Sequence, residues 1–476
     1  MLADFLQKSV LVDSIERQIL PALQSLDPSQ VRRAADAPAV TREQLNEAYI
    51  RLKEALEAEG VRSSLYPTLD KSLPPGWAAL EEAAFFSSRP EIGLMQTVLQ
   101  MRFGDKGRTD ESGPAGHRGP GGTAAVTNQR LFGNGADGRR VFGAFEQTDV
   151  DWISCKFAEA ITWLLRDKVR FPNDPAPDFA VAKDARLIVV GDWGSGLPRA
   201  QKVAKLMSAC LAEALMENRQ VHVIHLGDVY YSGFPCEAES NFLKFWPAKR
   251  TANVYSWCLN GNHDMFCGGR GYFNVILADP RFKEQRGLSR FALVHPQWEI
   301  LGLDSAYEDH ALANGQGEWA EKRLREAKSQ GRKGLLLSHH QLFSAYESDG
   351  PKMREALRGP LEERLITSWF WGHEHRLCAY EDYQGVKNAR CIGHGGVPVY
   401  QFHGTDAKFP GPPKAPLAWE FRDWFSTGGG LERWALFGFA TVDFERDGLK
   451  VNYFHENASE DPVRQPPKPH HTEILT

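Results

Sequence analysis

The chain has 476 residues, a length that favours more than one structural unit. Hydrophobic residues make up 42% and charged residues 25%, and the formal net charge of −5 argues against a broad nucleic-acid-binding surface. The sequence lacks a run of roughly 18 apolar residues, a secretion-signal pattern and any CxxC pair among its seven cysteines, so we expect a cytoplasmic protein with reduced thiols and no membrane span.

Residues 1–180 are predicted to form a mainly helical region. The segments 41–59 and 149–169 carry apolar residues at helical spacing, and the first has a capping residue at its start and a glycine after its end. Between them, the glycine-rich stretch 104–143 predicts a long loop, and it contains no GxxxxGKS or GxxxxGKT pattern for binding phosphate. We expect the helices to pack on the rest of the chain or on a second copy, as in a homo-oligomer.

From residue 184 to 457 predicted strands alternate with helices, which is typical of a layered α/β domain. Strands are predicted at 186–191, 221–226, 254–260, 299–305, 334–338 and 366–371, and helices from Pro198 and over 318–327. Apolar and polar residues alternate on both sides of Asp447 and Gly448, which predicts a hairpin. The aromatic, proline-rich segment 409–430 predicts a short amphipathic helix, with a lid over the substrate as the alternative. Residues 458–476 are polar and proline-rich and predict a loose tail.

Five of the predicted strands end in polar residues of similar character. The five blocks are GDWG at 191–194, GDVYY at 227–231, GNHD at 261–264, SHH at 338–340 and GHEH at 372–375. Functional sites of α/β sheets gather beyond the carboxyl ends of strands, so we expect these blocks to converge. Their oxygen and imidazole ligands suit Fe, Mn or Zn, and they are too many for one ion. The pattern therefore predicts a site for two metal ions bridged by a carboxylate.

The five blocks, in this order, resemble the calcineurin-like metallophosphoesterase superfamily, whose pattern is DxH, GD, GNHD or GNHE, a single His, and GHxH. The resemblance implies a four-layered α/β/β/α sandwich over residues 184–457. Gly194 stands where most members have a metal-binding histidine, and Tyr231 lies three residues after Asp228. This paired change is similar to the purple acid phosphatases, in which a tyrosine replaces the missing ligand.

The resemblance also implies which residues bind the two ions. The first ion, expected to be Fe(III), would have the ligands Asp192, Asp228, Tyr231 and His375. The second ion is expected to be Fe(II), Zn(II) or Mn(II). Its ligands would be Asn262, His339, His373 and Asp228, which bridges the two ions. Tyr230 is an alternative to Tyr231, although an extended chain would direct its side chain to the opposite face. His340 is likewise an alternative to His339.

The chemistry of such a site follows from charge. Two cations reduce the repulsion between a phosphate ester and an anionic nucleophile, and they acidify a bound water; the resulting hydroxide attacks phosphorus in line with the leaving oxygen. By resemblance, His263 lies beside the leaving group and donates a proton to it. Asp264 is expected to hold the His263 imidazole in the required tautomer.

We therefore expect a hydrolase of a small phosphorylated substrate, and the tyrosine favours phosphate monoesters. A cytoplasmic phosphodiesterase acting on nucleotides is the alternative enzyme, whereas the acidic composition argues against long nucleic acids. A regulatory or binding protein without turnover is the alternative from another class. It is disfavoured because every ligand position except the exchanged Gly194 is filled.

Overall fold

The computed structural model describes residues 168–249, 251–347, 349–397, 415–421, 424–426 and 433–476. The chain divides into two compact units, of which the second comprises Arg170–Tyr230, Ala238–Met265 and Gly271–Thr476. The first consists of Met1–Val169, Tyr231–Glu237 and Phe266–Arg270. The predictions for residues 1–167, including the helices and the glycine-rich loop, lie outside the described residues.

The described strands all belong to the second unit. They are β1 (Asp178–Ala180), β2 (Arg186–Val190), β3 (Val221–His225), β4 (Val254–Cys258), β5 (Phe291–His295), β6 (Trp298–Gly302), β7 (Lys333–Ser338), β8 (Ile366–Trp371), β9 (Leu377–Tyr380), β10 (Asn388–Ile392), β11 (Leu417–Glu420), β12 (Trp424–Ser426), β13 (Arg433–Ala435), β14 (Gly438–Phe444), β15 (Leu449–His455) and β16 (His471–Leu475).

Helical segments of three kinds lie between the strands. The α-helices are α1 (Pro198–Met216), α2 (Pro235–Glu237), α3 (Asn262–Phe266), α4 (Gln316–Ser329), α5 (Pro351–Ala356) and α6 (Arg358–Glu362). Two π-helical turns cover Ala238–Leu243 and Tyr272–Ile276, and a 3₁₀ turn covers Pro280–Gln285. Among the described residues, no helix combines the length and the apolar character needed to cross a bilayer.

Two large sheets carry the site. The first has six strands in the order β16-β15-β14-β2-β3-β4, of which β2, β3 and β4 are parallel. The second has eight strands in the order β1-β5-β6-β7-β8-β10-β9-β11, of which β6, β7, β8 and β10 are parallel. Because parallel strands end at the same edge of a sheet, residues that follow them can meet there.

Both faces of each sheet are covered, which explains why the strands read as almost continuous apolar runs. Leu187 of β2 and Leu335 of β7 belong to the core between the sheets. Leu336 packs instead with Leu324 of α4 in the core behind the eight-stranded sheet. On the other side, α1 contacts β2, β3 and β14. Helix α1, the two sheets and helices α4 to α6 form four layers, and the predicted α/β/β/α fold is confirmed.

Segments at the ends of the domain differ from the sequence prediction. The domain begins before residue 184, because β1 pairs with β5. The predicted loose tail is wrong for β16, which pairs with β15. Its Glu473 accepts hydrogen bonds from Arg390 at 2.7 Å, and Leu475 is buried. The proline-rich composition that suggested disorder belongs to the residues before β16.

Of the two predictions near the C-terminal end, the structure agrees with the hairpin but not with the helix in the aromatic segment. Strands β14 and β15 pair around Asp447 and Gly448, so the predicted hairpin is confirmed. The amphipathic helix predicted within 409–430 is wrong for residues 417–420, which form β11 at the edge of the eight-stranded sheet, and for 424–426, which form β12. Pairing with β9 satisfies the β11 backbone, and this tertiary contact overrides the local pattern.

Candidate metal centre

Six of the predicted ligands come together at one edge of the two sheets. They follow parallel strands: Asp192, Asp228 and Asn262 after β2, β3 and β4, His339 after β7, and His373 and His375 after β8. Each has an atom within 3.5 Å of another member of the set. Asp192, Asp228, His373 and His375 also have positive φ, between 50° and 76°. Such backbone strain, of order 1–3 kcal/mol per residue, concentrates at functional sites.

A first group of donors surrounds the hydroxyl of Tyr230. This oxygen lies 2.8 Å from Asp192 Oδ1, 3.0 Å from Asp228 Oδ2 and 2.9 Å from His375 Nε2. His375 Nε2 is 3.5 Å from Asp192 Oδ1. The ligand atoms of Asp192, Asp228 and His375 all lie within 4.8 Å of one another, which is close enough to hold one cation.

Gly194 has no room for the histidine that the DxH pattern places there. A Cβ atom at this position would lie 2.9 Å from the carbonyl oxygen of Asp228 and 2.9 Å from Val229 Cγ2. The cause is a backbone bridge between Gly194 and Val229, which brings the first two blocks into direct contact. Residue 194 therefore supplies no side-chain ligand to the first donor group.

The tyrosine in the first donor group is Tyr230, whereas the resemblance predicts Tyr231 from its spacing of three residues after Asp228. Tyr230 is the alternative, disfavoured only if the chain stays extended and neighbouring side chains alternate between faces. Gly227 and Asp228 have φ values of 107° and 76°, and these left-handed residues end the alternation. Tyr231 belongs to the first compact unit, where its backbone N–H donates to Glu237 at 2.6 Å.

A second group of donors lies on the other side of Asp228. Asn262 Oδ1 is 2.8 Å from His339 Nε2 and 3.0 Å from His373 Nδ1. The two imidazole nitrogens are 3.3 Å apart, and Asp228 Oδ1 is 3.4 Å from His339 Nε2. Ligands of a tetrahedral ion with bonds of about 2.1 Å lie about 3.4 Å apart, so this group has the size for one ion. Asp228 contributes one oxygen to each group and joins them.

Both imidazoles of the second group are oriented through their remote nitrogens. His339 Nδ1 donates to the carbonyl oxygen of Leu226 at 3.0 Å, and His373 Nε2 lies 3.3 Å from Glu347. These contacts leave the lone pairs of His339 Nε2 and His373 Nδ1 directed at the group, as in metal-binding histidines. Glu347 was not predicted, because its loop carries no motif that marks it.

The alternative ligand His340 lies outside the second donor group. Its Nδ1 is 3.1 Å from Ser305 Oγ, and its backbone N–H donates to the same oxygen at 3.0 Å. Between the two neighbouring histidines, the structure therefore brings His339 to Asn262.

The ionisation of Asp228 favours a cation. Burial opposes ionisation of Asp228, but the imidazoles of His339 and His263 outweigh it and hold the pKa of this carboxyl well below its usual value. Burial lowers the pKa of His373, but the Glu347 carboxylate outweighs it and raises the pKa to about 9, so a metal ion at Nδ1 would displace a proton from this imidazole. A buried carboxylate that stays ionised is a suitable bridge between two cations.

The two predicted catalytic residues are in different environments. His263 donates its backbone N–H to Asp228 Oδ1 at 2.9 Å, and its Nε2 is 3.9 Å from Asp228 Oδ2. Asp264 Oδ2 instead accepts backbone hydrogen bonds from Asp228 at 3.1 Å and Gly261 at 2.8 Å. Asp264 thus ties the second block to the third. Its expected role in orienting the His263 imidazole stays a prediction.

Comparisons with known proteins gave one family match and several similar solved structures. Residues 185–377 match the family model described as calcineurin-like phosphoesterase. No curated protein matches the chain. Similar solved structures include a Plasmodium protein described as the anchor in the inner membrane complex, with 12% identity over 61% of this chain and 88% of that chain, and a TM-score of 0.41.

Two phosphatase structures are also similar to this chain. A purple acid phosphatase from yellow lupin (Lupinus luteus) seeds has 16% identity over 63% of this chain and 54% of that chain, with a TM-score of 0.43. A dimetal phosphatase from Danio rerio has 14% identity over 63% of this chain and 100% of that chain, with a TM-score of 0.38. The residues that match the family model include all five sequence blocks of the candidate site.

Proposed function

We propose that this protein hydrolyses phosphate monoesters with a centre of two metal ions. The observation that carries the proposal is the pair of donor groups joined by Asp228, whose two oxygens face Tyr230 on one side and His339 on the other. Two cations held in this way would neutralise the charge of a phosphoryl group and acidify a bound water.

The donor types favour different ions in the two groups. The first group would hold Fe(III) through Asp192, Asp228, Tyr230 and His375, with Tyr230 in the place first given to Tyr231. A phenolate is a hard anion and favours a trivalent ion. The second group would hold Fe(II), Zn(II) or Mn(II) through Asp228, Asn262, His339 and His373. Nitrogen and oxygen donors suit all three of these ions.

His263 is the residue placed to handle a proton. The centre of its ring lies 4.5 Å from that of Tyr230 and its Nε2 is 3.9 Å from Asp228 Oδ2, so its imidazole stands beside the first donor group. We assign it the donation of a proton to the leaving oxygen, a contribution of roughly 10²–10⁴-fold. Asp264 acts as a positioning residue, because it fixes the backbone of the loops that carry Asp228 and His263.

Metal analysis combined with two chromogenic substrates tests the proposal. The full-length protein, loaded with iron and zinc, should hydrolyse p-nitrophenyl phosphate faster than bis-p-nitrophenyl phosphate. His263→Ala should keep the metal content and lose most of the turnover. Faster hydrolysis of the diester would instead support the phosphodiesterase. A metal-loaded protein that hydrolyses neither substrate would contradict the proposal and favour a regulatory role.

A further inference from the structure

A second cluster of ligand-type side chains lies next to His373. His310, His340 and His373 each offer a nitrogen within 4.8 Å of the others, and the ring centroids of His310 and His340 are 3.9 Å apart. The carboxylate of Asp309 faces both of these imidazoles. Its Oδ1 is 3.6 Å from His310 Nε2 and 3.8 Å from His340 Nε2. Asp309, His310 and His340 have no part in the function proposed above.

The spacing of these atoms fits an ion better than direct hydrogen bonds. Nitrogen–oxygen separations of 3.6 and 3.8 Å are too long for hydrogen bonds. They are close to the separation of about 3.4 Å between two ligands of a tetrahedral ion with bonds of about 2.1 Å. One cation placed between the carboxylate and the two rings would contact all three groups with little movement.

An unsatisfied nitrogen points to the same conclusion. His340 Nε2, the nitrogen that faces Asp309, is buried and has no hydrogen-bond partner among the described residues. Leaving a buried polar atom without a partner is unfavourable, so such atoms usually bind something outside the chain. His340 is completely buried, and Ser305 holds its Nδ1 at 3.1 Å, so the direction of Nε2 is fixed.

The charge of the cluster selects between a cation and an anion. Two imidazoles alone would suit a phosphate as well as a metal ion. The Asp309 carboxylate, directed at both rings, repels a phosphate and attracts a cation. We propose that Asp309, His310 and His340 bind a further divalent cation of the zinc type, with water as its fourth ligand. This site uses none of the ligands of the proposed two-metal centre.

Zinc stoichiometry tests the inference without measuring activity. Full-length protein is stripped with a chelator, reloaded with Zn²⁺ alone and desalted, and the zinc per chain is measured by mass spectrometry. His310→Ala and Asp309→Asn should each hold one zinc fewer than the unchanged protein. Glu308→Gln, which alters the exposed carboxylate next to Asp309, is the matched control and should hold the full number. In the cobalt-loaded protein, Asp309→Asn should also change the visible absorption spectrum.

The same measurement separates this site from the two-metal centre. His375→Ala removes a ligand of the two-metal centre and leaves Asp309, His310 and His340 unchanged. This variant should lose zinc from the centre and keep the ion of the further site. Equal zinc contents in His310→Ala, Asp309→Asn and the unchanged protein would overturn the further site, whatever His375→Ala shows. If His375→Ala keeps its full zinc content while Asp309→Asn loses one ion, the further site stands and the two-metal centre fails.

Discussion

The hydroxyl of Tyr230 lies 2.8 Å from the carboxylate of Asp192, and this contact joins the loop after β2 to the loop after β3. Gly194, two residues after Asp192, leaves no room for a side chain. Tyr230 thus supplies a phenol to the donor group for which residue 194 supplies no imidazole. In the function proposed above, the choice of Fe(III) as the first ion depends on this phenol.

Tyr230→Phe removes the phenol and should weaken binding of the first ion. A protein loaded with Fe(III) should show a visible charge-transfer band that disappears in the variant, because phenolate ligation produces it. Hydrolysis of p-nitrophenyl phosphate should fall by about 10²–10³-fold, the usual effect of losing one strong electrostatic contact at a reaction centre. Circular dichroism checks that the variant is folded.

Tyr231→Phe is the comparison that decides between the two tyrosines. If the band disappears in Tyr231→Phe and survives in Tyr230→Phe, the assignment from the sequence pattern is right and the assignment to Tyr230 is wrong.

Gly194→His introduces the histidine of the DxH pattern and should destabilise the protein. A side chain at this position meets the backbone of Asp228 at 2.9 Å, so the loops must separate. We expect a loss of about 1–3 kcal/mol in the free energy of unfolding, the usual cost of overpacking, measured by urea titration. A variant as stable as the unchanged protein and with stronger metal binding would show that the two loops separate easily.

Glu347→Gln should weaken binding of the second ion. Glu347 lies 3.3 Å from His373 Nε2 and fixes the nitrogen that faces the metal. Loss of such a supporting carboxylate typically lowers metal affinity 10–100-fold. Competition with a chromogenic chelator measures the affinity, and Glu355→Gln, at an exposed carboxylate, is the control. Equal affinities for the two variants would mean that Glu347 does not orient His373.

Asp443 should make the stability of the domain depend on pH. It accepts hydrogen bonds from Arg186 at 2.8 and 3.1 Å and also pairs with Arg219. Burial opposes its ionisation, but the two arginines outweigh burial and hold its pKa below the usual value. Its stabilising contribution is therefore complete above the unfolded pKa, near 4, and is lost as the pH falls through the lower folded pKa.

Asp443→Asn tests this dependence. At neutral pH the variant should lose about 2 kcal/mol in the free energy of unfolding, because Arg186 and Arg219 lose a buried partner. The loss should shrink at about pH 3, where the carboxylate is becoming protonated in the unchanged protein. Asp447→Asn, at an exposed turn, is the control. A loss that stays constant over this range would exclude ionisation of Asp443 as the cause.

The sequence was sufficient for the parts of the site that follow strands. Asp192, Asp228 and His339 each come directly after a buried apolar run, and parallel strands necessarily bring such residues to one edge. The choice between Tyr230 and Tyr231 depended on φ at two preceding residues, which no residue pattern indicated.

Residues outside the strand ends could not be predicted, because they reach the site through irregular loops. Glu347 lies in the loop after β7, and Asp309 and His310 lie in the loop after β6. Their partners come from other segments, so no local periodicity marks them. For the same reason, the pairing of Glu473 with Arg390, 83 positions apart, gave no sign that the tail ends in a strand.

The central claim is that Asp228 joins two metal-binding groups, and the zinc content of two variants tests it most directly. Asp228→Ala removes both bridging oxygens, whereas His375→Ala removes a donor from one group only. Relative to the unchanged protein, we expect Asp228→Ala to lose two zinc ions per chain and His375→Ala to lose one, with both variants folded. An Asp228→Ala protein that keeps its full zinc content would contradict the account.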